Sequence, residues 1–145
     1  MAPLTAIVEV PAGQTDTAEF RVILRITNQS GSTIAVLNPD MGIPAPAMKW
    51  PWSSETYQTS ILMSFGYLSI SVTDETGKEL PQQAIQTWAT PVLQPKIEMG
   101  QGESFELTIP IGNFYQLASG GTYLVAMEYG DQDLKVLTRA SVTAP

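Results

Sequence analysis

Histidine and cysteine are both absent from this chain of 145 residues. Histidine is the usual general base near neutral pH and the commonest ligand of transition metals. Without these two residue types, neither a Ser-His-Asp or Cys-His catalytic arrangement nor a zinc site of an ordinary kind can be assembled. The lack of cysteine also excludes a disulfide framework. We therefore predict that the chain is not an enzyme and that it holds no metal and no cofactor.

Positive charge is scarce as well. The chain has seven basic and 14 acidic residues, a formal net charge of −7, and the basic residues form no run or stripe. Such a surface repels a phosphate backbone and anionic lipid headgroups, so we predict no nucleic-acid partner. No stretch approaches the ~20 apolar residues of a membrane helix, so we predict no membrane insertion. The opening residues Met1-Ala2-Pro3 do not have the pattern of a signal peptide. The compartment stays open, with an extracytoplasmic or secreted location favoured.

Apolar and polar side chains alternate with a period of two along most of the chain. Hydrophobic residues make up 43% of it, which is enough for one domain, residues 1–145, with a real core. The alternation predicts short strands that turn one face to that core, and Gly, Asp, Asn and Ser between them predict tight turns. The alternating stretches are residues 4–10, 20–26, 34–36, 68–72, 105–111, 123–129 and 134–138.

Two segments break this rhythm. Residues 38–60 contain four of the eleven prolines and two of the three tryptophans, and residues 81–96 contain three more prolines and the third tryptophan. Proline cannot donate to a sheet ladder, so both segments are predicted to be long connections or edges. No amphipathic helix is predicted, and the nearest approach to one is a single turn at residues 113–118.

A tyrosine corner is indicated in the second half of the chain, where Leu117 lies six residues before Tyr123. In such corners the tyrosine hydroxyl binds the backbone of the preceding loop. The succession of residues 26–31, 73–81, 100–104 and 115–123 resembles the β-sandwich domain that precedes the catalytic domain of deuterolysin-like (peptidyl-Lys type) metallopeptidases. More loosely, it is similar to the sandwich of the intracellular proteinase-inhibitor family of bacilli. Two departures are Gln101, where that domain often has proline, and residues 38–60, which have no counterpart.

The resemblance implies a non-catalytic sandwich, because the zinc-binding helix of those peptidases lies in another domain. Together with the strand pattern, it leads us to predict an all-β fold. The predicted architecture is a single immunoglobulin-like (Greek-key) β-sandwich of about seven or eight antiparallel strands.

The aromatic residues of the two Pro-rich segments are the candidate binding site. Trp50 and Trp52 flank Pro51, Tyr57 follows closely, and Trp88 lies in the second segment. Trp and Tyr are enriched at binding hot spots, and prolines lower the entropic cost of ordering a loop. The alternative is that these rings fold back and close one end of the sandwich, since large aromatic residues are usually buried.

Two further patterns have simple structural explanations. Asp131 and Asp133, with Glu128 nearby, offer oxygen ligands of the kind that calcium prefers, but Asp and Gly are also what a tight hairpin requires. The residues Asn28-Gln29-Ser30 match the N-glycosylation triplet within a predicted turn.

These observations predict a non-catalytic binding or accessory module. It would recognise a protein or a glycan through the aromatic Pro-rich segments, in a peptidase-associated or inhibitor-like role. The alternative is a structural subunit of a surface layer, filament or particle. In that case the opening strand or the closing residues 141–145 would pair edge to edge with another copy and drive self-assembly.

Overall fold

The computed structural model describes residues 3–39, 54–83 and 96–145, and these contain eight strands. The strands are β1 (Leu4–Glu9), β2 (Val22–Asn28), β3 (Ile34–Leu37), β4 (Leu68–Thr73), β5 (Lys96–Met99), β6 (Ser104–Ile109), β7 (Thr122–Gly130) and β8 (Lys135–Thr143). Two α-helices, α1 (Ser54–Ser64) and α2 (Ile111–Phe114), and a 3-10 turn (Thr17–Glu19) accompany them. In the described part of the chain, no helix is long and apolar enough to cross a membrane.

All strand pairs are antiparallel, and they form two three-stranded sheets and one two-stranded ribbon. The sheets have the orders β1-β2-β6 and β4-β7-β8, and the ribbon is β3-β5. β1 also lies alongside β8, the last strand of the other sheet. The predicted all-β sandwich is therefore confirmed, and the number of strands lies within the predicted range.

The core lies between the two sheets and is built from the inward side chains of every strand in them. Along β2, for example, Val22, Leu24 and Ile26 are fully buried while the intervening residues are partly exposed, as a period-two pattern requires. Side chains from β4, β6 and β7 meet them, and the same apolar cluster extends to Leu62 of α1 and Phe114 of α2. One continuous core therefore joins the two sheets and both helices.

The helix α1 is a correction to the sequence-based prediction, which placed a connection at residues 38–60 and no helix of this length. Its buried residues include Thr56, Thr59 and Ser60 as well as Ile61 and Leu62. Because polar and apolar side chains are buried together, no apolar stripe with helical period is visible in the sequence.

The end of α1 did carry a readable signal. Gly66 has a φ of 76°, and its N–H donates to Met63 O at 3.0 Å, while Tyr67 N–H donates to Leu62 O at 2.9 Å. This pair of bonds is a Schellman motif, in which glycine adopts the left-handed conformation just after a helix. A glycine two residues beyond Ser64 therefore indicated where a helix stops.

Two smaller boundaries were also misplaced. The segment 81–96 was predicted as a connection, but Lys96 already begins β5, a strand too short for its alternation to stand out. Ile111 was predicted to close a strand, and it instead begins α2, which occupies residues slightly earlier than the turn predicted at 113–118. Pro110, which cannot extend the ladder, separates β6 from α2.

The predicted tyrosine corner has the expected hydrogen bond. The hydroxyl of Tyr123 accepts from Ala118 N–H at 2.7 Å, which ties β7 to the loop before it. Two other buried tyrosines make similar ties: Tyr115 donates to Ile70 O at 2.9 Å, and Tyr129 donates to Leu37 O at 2.6 Å. Burial raises the pKa of both Tyr115 and Tyr129, so each hydroxyl keeps its proton well into the alkaline range.

Replacing Tyr123 by phenylalanine should lower the free energy of unfolding by about 1 kcal/mol, because Ala118 N–H loses its acceptor. Urea denaturation measures the change. Tyr67→Phe is the matched control, because no described residue is hydrogen-bonded to that hydroxyl; we expect it to stay within about 0.5 kcal/mol of the parent chain. Equal effects of the two substitutions would contradict a stabilising role for the corner.

Candidate functional site

Three of the four predicted site residues, Trp50, Trp52 and Trp88, lie outside the described residues. The fourth, Tyr57, is in α1 rather than in the predicted connection. We call residues 40–53 segment 1 and residues 84–95 segment 2. The structure therefore bears on the predicted site through the residues that flank these two segments.

The ribbon β3-β5 brings one flank of each segment together. Leu37, at the end of β3, pairs with Lys96, at the start of β5. The chain thus leaves towards segment 1 and returns from segment 2 at neighbouring positions. Leu37 is buried, and its carbonyl accepts the hydroxyl of Tyr129 from β7. The ribbon is therefore fixed to the sheet β4-β7-β8 at the point where the segments attach.

Lys96 adds a second tie at this place. Its Nζ lies 2.7 Å from Asp133 Oδ2 and 3.7 Å from Asp131 Oδ2, both in the hairpin between β7 and β8. The hydrogen bond between Lys96 and Asp133 raises the pKa of the lysine and lowers the pKa of the carboxyl. The pair is exposed, so its contribution is mainly to orientation and falls with salt.

The helix α1 contacts the residues that immediately precede each of the two segments. Gln58 Nε2 donates to Pro39 O at 2.7 Å, on the flank of segment 1. Near the other end of the helix, Met63 Sδ accepts from Gln82 Nε2 at 3.2 Å, on the flank of segment 2. A helix of 11 residues is roughly 16 Å long, so these two flanks are held within that distance along one rigid element.

Gln82 and its neighbour also bind the region around α2. Gln82 Nε2 donates to the hydroxyl of Tyr115 at 3.1 Å, and Gln83 N–H donates to Phe114 O at 2.7 Å. Phe114 is fully buried in the core. The flank of segment 2 is therefore anchored to the core through its backbone as well as through a side chain.

A cavity of about 460 Å³ lies beside the first turn of α1. Its lining includes Gln14, Asp16, Glu19, Arg21 and Glu55. Arg21 Nε and Glu55 Oε2 form an ion pair at 3.3 Å. The Gln14 side chain binds the backbone of Arg21, with Nε2 donating to Arg21 O at 2.9 Å and Oε1 accepting from Arg21 N–H at 2.7 Å. Three carboxylates against one guanidinium make this cavity acidic.

The acidic hairpin predicted as either a turn or a calcium loop is built as a turn. Asp131 Oδ1 accepts from Asp133 N–H at 2.9 Å and from Leu134 N–H at 3.0 Å, which is how aspartate stabilises a tight turn. Glu128 Oε1 lies 3.5 Å from Lys135 Nζ. Among residues 3–39, 54–83 and 96–145, no group of three acidic side chains is arranged to hold a metal ion.

The glycosylation triplet begins at a residue whose side chain has another role. Asn28 ends β2 and is fully buried. Its Nδ2 donates to Ser32 O at 2.7 Å and to Met99 O at 2.9 Å, and its Oδ1 accepts from Ser30 N–H at 2.9 Å. A glycan would have to replace an Nδ2 hydrogen inside the protein, so the folded chain cannot be modified at Asn28.

The terminal strands proposed as assembly edges are paired within the chain. β1 is bonded to β2, and β8 is bonded to β7 along nine residue pairs. β1 and β8 also lie alongside each other. Each terminal strand therefore has its hydrogen-bonding partner within the chain.

No protein-family model matches the chain, and no curated protein matches it significantly.

Proposed function

We propose that this chain is a non-catalytic binding module with an immunoglobulin-like (Greek-key) sandwich. It recognises a protein or a glycan through the aromatic residues of segments 1 and 2. The observation that supports this function most directly is the arrangement of the flanks. Leu37 and Lys96 are paired neighbours, and one helix, α1, contacts the flanks of both segments through Gln58 with Pro39 and Met63 with Gln82.

Such an arrangement suits binding because loops that carry recognition residues work best on a rigid scaffold. The flanks are fixed to buried groups: the ribbon by Tyr129, and the flank of segment 2 by Phe114. Fixed ends and the prolines in both segments reduce the entropy lost on binding. Trp50, Trp52 and Trp88 then supply the aromatic area that dominates most interfaces, with Tyr57 at the start of the helix next to segment 1.

An inhibitor-like role is the most specific form of this proposal. It rests on the resemblance to the peptidase-associated sandwich and to the bacillar inhibitor sandwich, and on the proline content of segment 1. A proline-stiffened loop resists cleavage when it enters a peptidase cleft, because it does not relax into the geometry that the enzyme requires.

The test is a binding screen of the purified chain against a panel of serine, cysteine and metallopeptidases and against a glycan array. For any ligand found, we expect the double substitution Trp50→Ala, Trp52→Ala to weaken binding at least about 30-fold, which is the loss of about 2 kcal/mol that a single hot-spot residue already causes. Met48→Ala, in the same segment, is the matched control and should change affinity little. Thermal unfolding establishes that all variants are folded.

Two results would count against this function. A ligand bound equally well by the parent chain and by the double variant would place recognition elsewhere on the molecule. Blue-shifted tryptophan emission that added quenchers do not reduce would mean that the rings serve packing instead of binding.

A further inference from the structure

The two sheets differ in how charges are arranged on their outer faces, which are the faces turned away from the core. On the outer face of β1-β2-β6, Arg25 lies between two carboxylates, 2.7 Å from Glu9 Oε1 and 2.6 Å from Glu106 Oε1. The outer face of β4-β7-β8 carries Arg139 of β8, which is exposed and forms no ion pair with any residue within 3–39, 54–83 or 96–145. This second face therefore has a cation available to a partner.

A carboxylate lies at the other end of the row of side chains that contains Arg139. Residues directly opposite each other on antiparallel strands point to the same face, and the register places Arg139 opposite Ala126 and Ala126 opposite Ser71. Beyond β4, Glu79 is bridged to Thr73, and its Oε1 accepts from Ser71 Oγ at 3.3 Å. Glu79 is exposed and, within the described part of the chain, also has no ion pair. The row thus has a positive charge at one end and a negative charge at the other.

The face around this row is partly apolar. Leu124 of β7 is 44% exposed and Leu137 of β8 is 68% exposed, and the register places them on opposite sides of the row. The remaining charges of β7 and β8 on this face neutralise each other, since Glu128 Oε1 lies 3.5 Å from Lys135 Nζ. A surface that covered the two leucines would gain the free energy of removing them from water.

This pattern of charges is complementary to itself, and we infer that the outer face of β4-β7-β8 stacks on the same face of a second copy of this chain. We call it the dimer face. A two-fold axis parallel to the strands exchanges the two ends of the row, so that Arg139 of each copy faces Glu79 of the other. Face-to-face stacking of aligned sheets at about 10 Å is a common arrangement in proteins. A different partner would have to supply both charges at the same spacing, whereas this chain presents them itself.

The size of the dimer face determines how strong the association should be. Three strands and the segment that contains Glu79 span roughly 19 Å at the usual strand spacing, and the nine residues of β7 or β8 span roughly 30 Å. A face of this size is at the low end of specific interfaces, so the dimer should form reversibly and dissociate on dilution. The inference does not use the tryptophans, so it stands or fails separately from the proposed function.

Sedimentation velocity of the full chain over a range of concentrations measures the association, and we expect a monomer–dimer equilibrium. The variants Arg139→Glu and Glu79→Arg each place like charges opposite one another twice, so each alone should self-associate at least about tenfold more weakly than the parent chain. An equimolar mixture of the two variants should dimerise like the parent chain, because every facing pair then joins opposite charges. Thermal unfolding verifies that both variants are folded.

The matched control is a mixture of Arg139→Glu with Glu98→Arg. Glu98 is exposed on β5, which is not part of this sheet, and its substitution changes the net charge by the same amount as Glu79→Arg. In this mixture one of the two facing pairs still joins like charges. We expect the two variants to bind each other at least about tenfold more weakly than Arg139→Glu binds Glu79→Arg.

The substitution Leu137→Ser tests the apolar part of the dimer face. It removes an exposed side chain that dimerisation would bury in both copies, so it should weaken association at least about tenfold. Ile7→Ser is its matched control, because Ile7 is 50% exposed on β1, in the other sheet, and its loss should leave the association unchanged.

Three results would overturn the inference. A parent chain that remains monomeric at the highest concentration reached would mean that the face is not self-associating. A mixture of Arg139→Glu and Glu79→Arg that associates no better than either variant alone would mean that these two residues do not face each other. Equal weakening by Leu137→Ser and Ile7→Ser would place the contact on another surface.

Discussion

Replacing Gly112 by alanine is expected to lower the free energy of unfolding by about 3 kcal/mol, or to prevent folding at elevated temperature. Gly112 lies in α2, and its N–H donates to Phe20 O at 3.0 Å. A methyl group on its Cα would overlap the carbonyl oxygen of Thr17 and lie 2.8 Å from Phe20 N. Both atoms belong to the backbone, so the clash cannot be relieved by rotating a side chain.

The consequence would extend beyond α2, because the 3-10 turn packs directly against it and precedes β2. Gly31→Ala is the matched control. Gly31 has a φ of 84° but open space around the position of the added methyl group, so only the left-handed backbone penalty of about 1 kcal/mol applies. Urea denaturation separates the two variants. If Gly112→Ala lowered the free energy of unfolding no more than Gly31→Ala, the backbones of α2 and the 3-10 turn would not be in close contact.

Replacing Asn28 by alanine should cost about 3 kcal/mol as well. The amide group satisfies two backbone carbonyls, Ser32 O and Met99 O, and one N–H, that of Ser30. Truncation removes all three bonds at a fully buried position, and each buried polar group left without a partner costs about 1–3 kcal/mol unless water or relaxation compensates. The end of β2, the turn after it and the end of β5 would lose their common link.

The substitution Asn28→Asp gives this prediction a pH dependence. The carboxylate retains an acceptor for Ser30 N–H but directs negative charge at the carbonyls of Ser32 and Met99. Burial and these carbonyls would raise the pKa of the new carboxyl above its unfolded value, so destabilisation is full above the folded pKa. As the pH falls through that pKa, protonation restores one donor and part of the stability.

Denaturation of the Asn28→Asp variant at several pH values measures this effect relative to the parent chain. Ser30→Ala removes two exposed hydrogen bonds of the Ser30 hydroxyl, which donates to Ser32 O and accepts from Ser32 N–H, and it should cost less than about 1 kcal/mol at every pH. A variant Asn28→Asp as stable as the parent chain at neutral pH would show that the amide donors are not needed.

The strands were predictable from the sequence because each of the longer ones has one buried face. β2 and β7 alternate with almost no exception, and the turn residues after β7 match the observed hairpin between β7 and β8. The helix α1 was not predictable from periodicity, because Thr59 and Ser60 are buried next to Ile61. Their burial is decided by tertiary packing between the sheets, which no local pattern reports.

For the candidate site, too, one part could be predicted from the sequence and another could not. Composition indicated Trp50, Trp52 and Trp88, and it could not indicate that Leu37 and Lys96 are paired, since they are 59 positions apart in the chain.

The pairing of β2 with β6 has a consequence for how the molecule can vary. These neighbouring strands, joined from Val22↔Ile109 to Thr27↔Ser104, close a long chain loop that contains both segments 1 and 2. Contacts between residues so distant in sequence slow folding, because the loop must close before the sheet is complete. The entropy of closure grows only with the logarithm of loop length, at about 0.6 kcal/mol for each doubling. Through loop closure, insertions and deletions in either segment therefore change stability by only tenths of a kcal/mol, and this cost leaves selection free to alter the length of both segments.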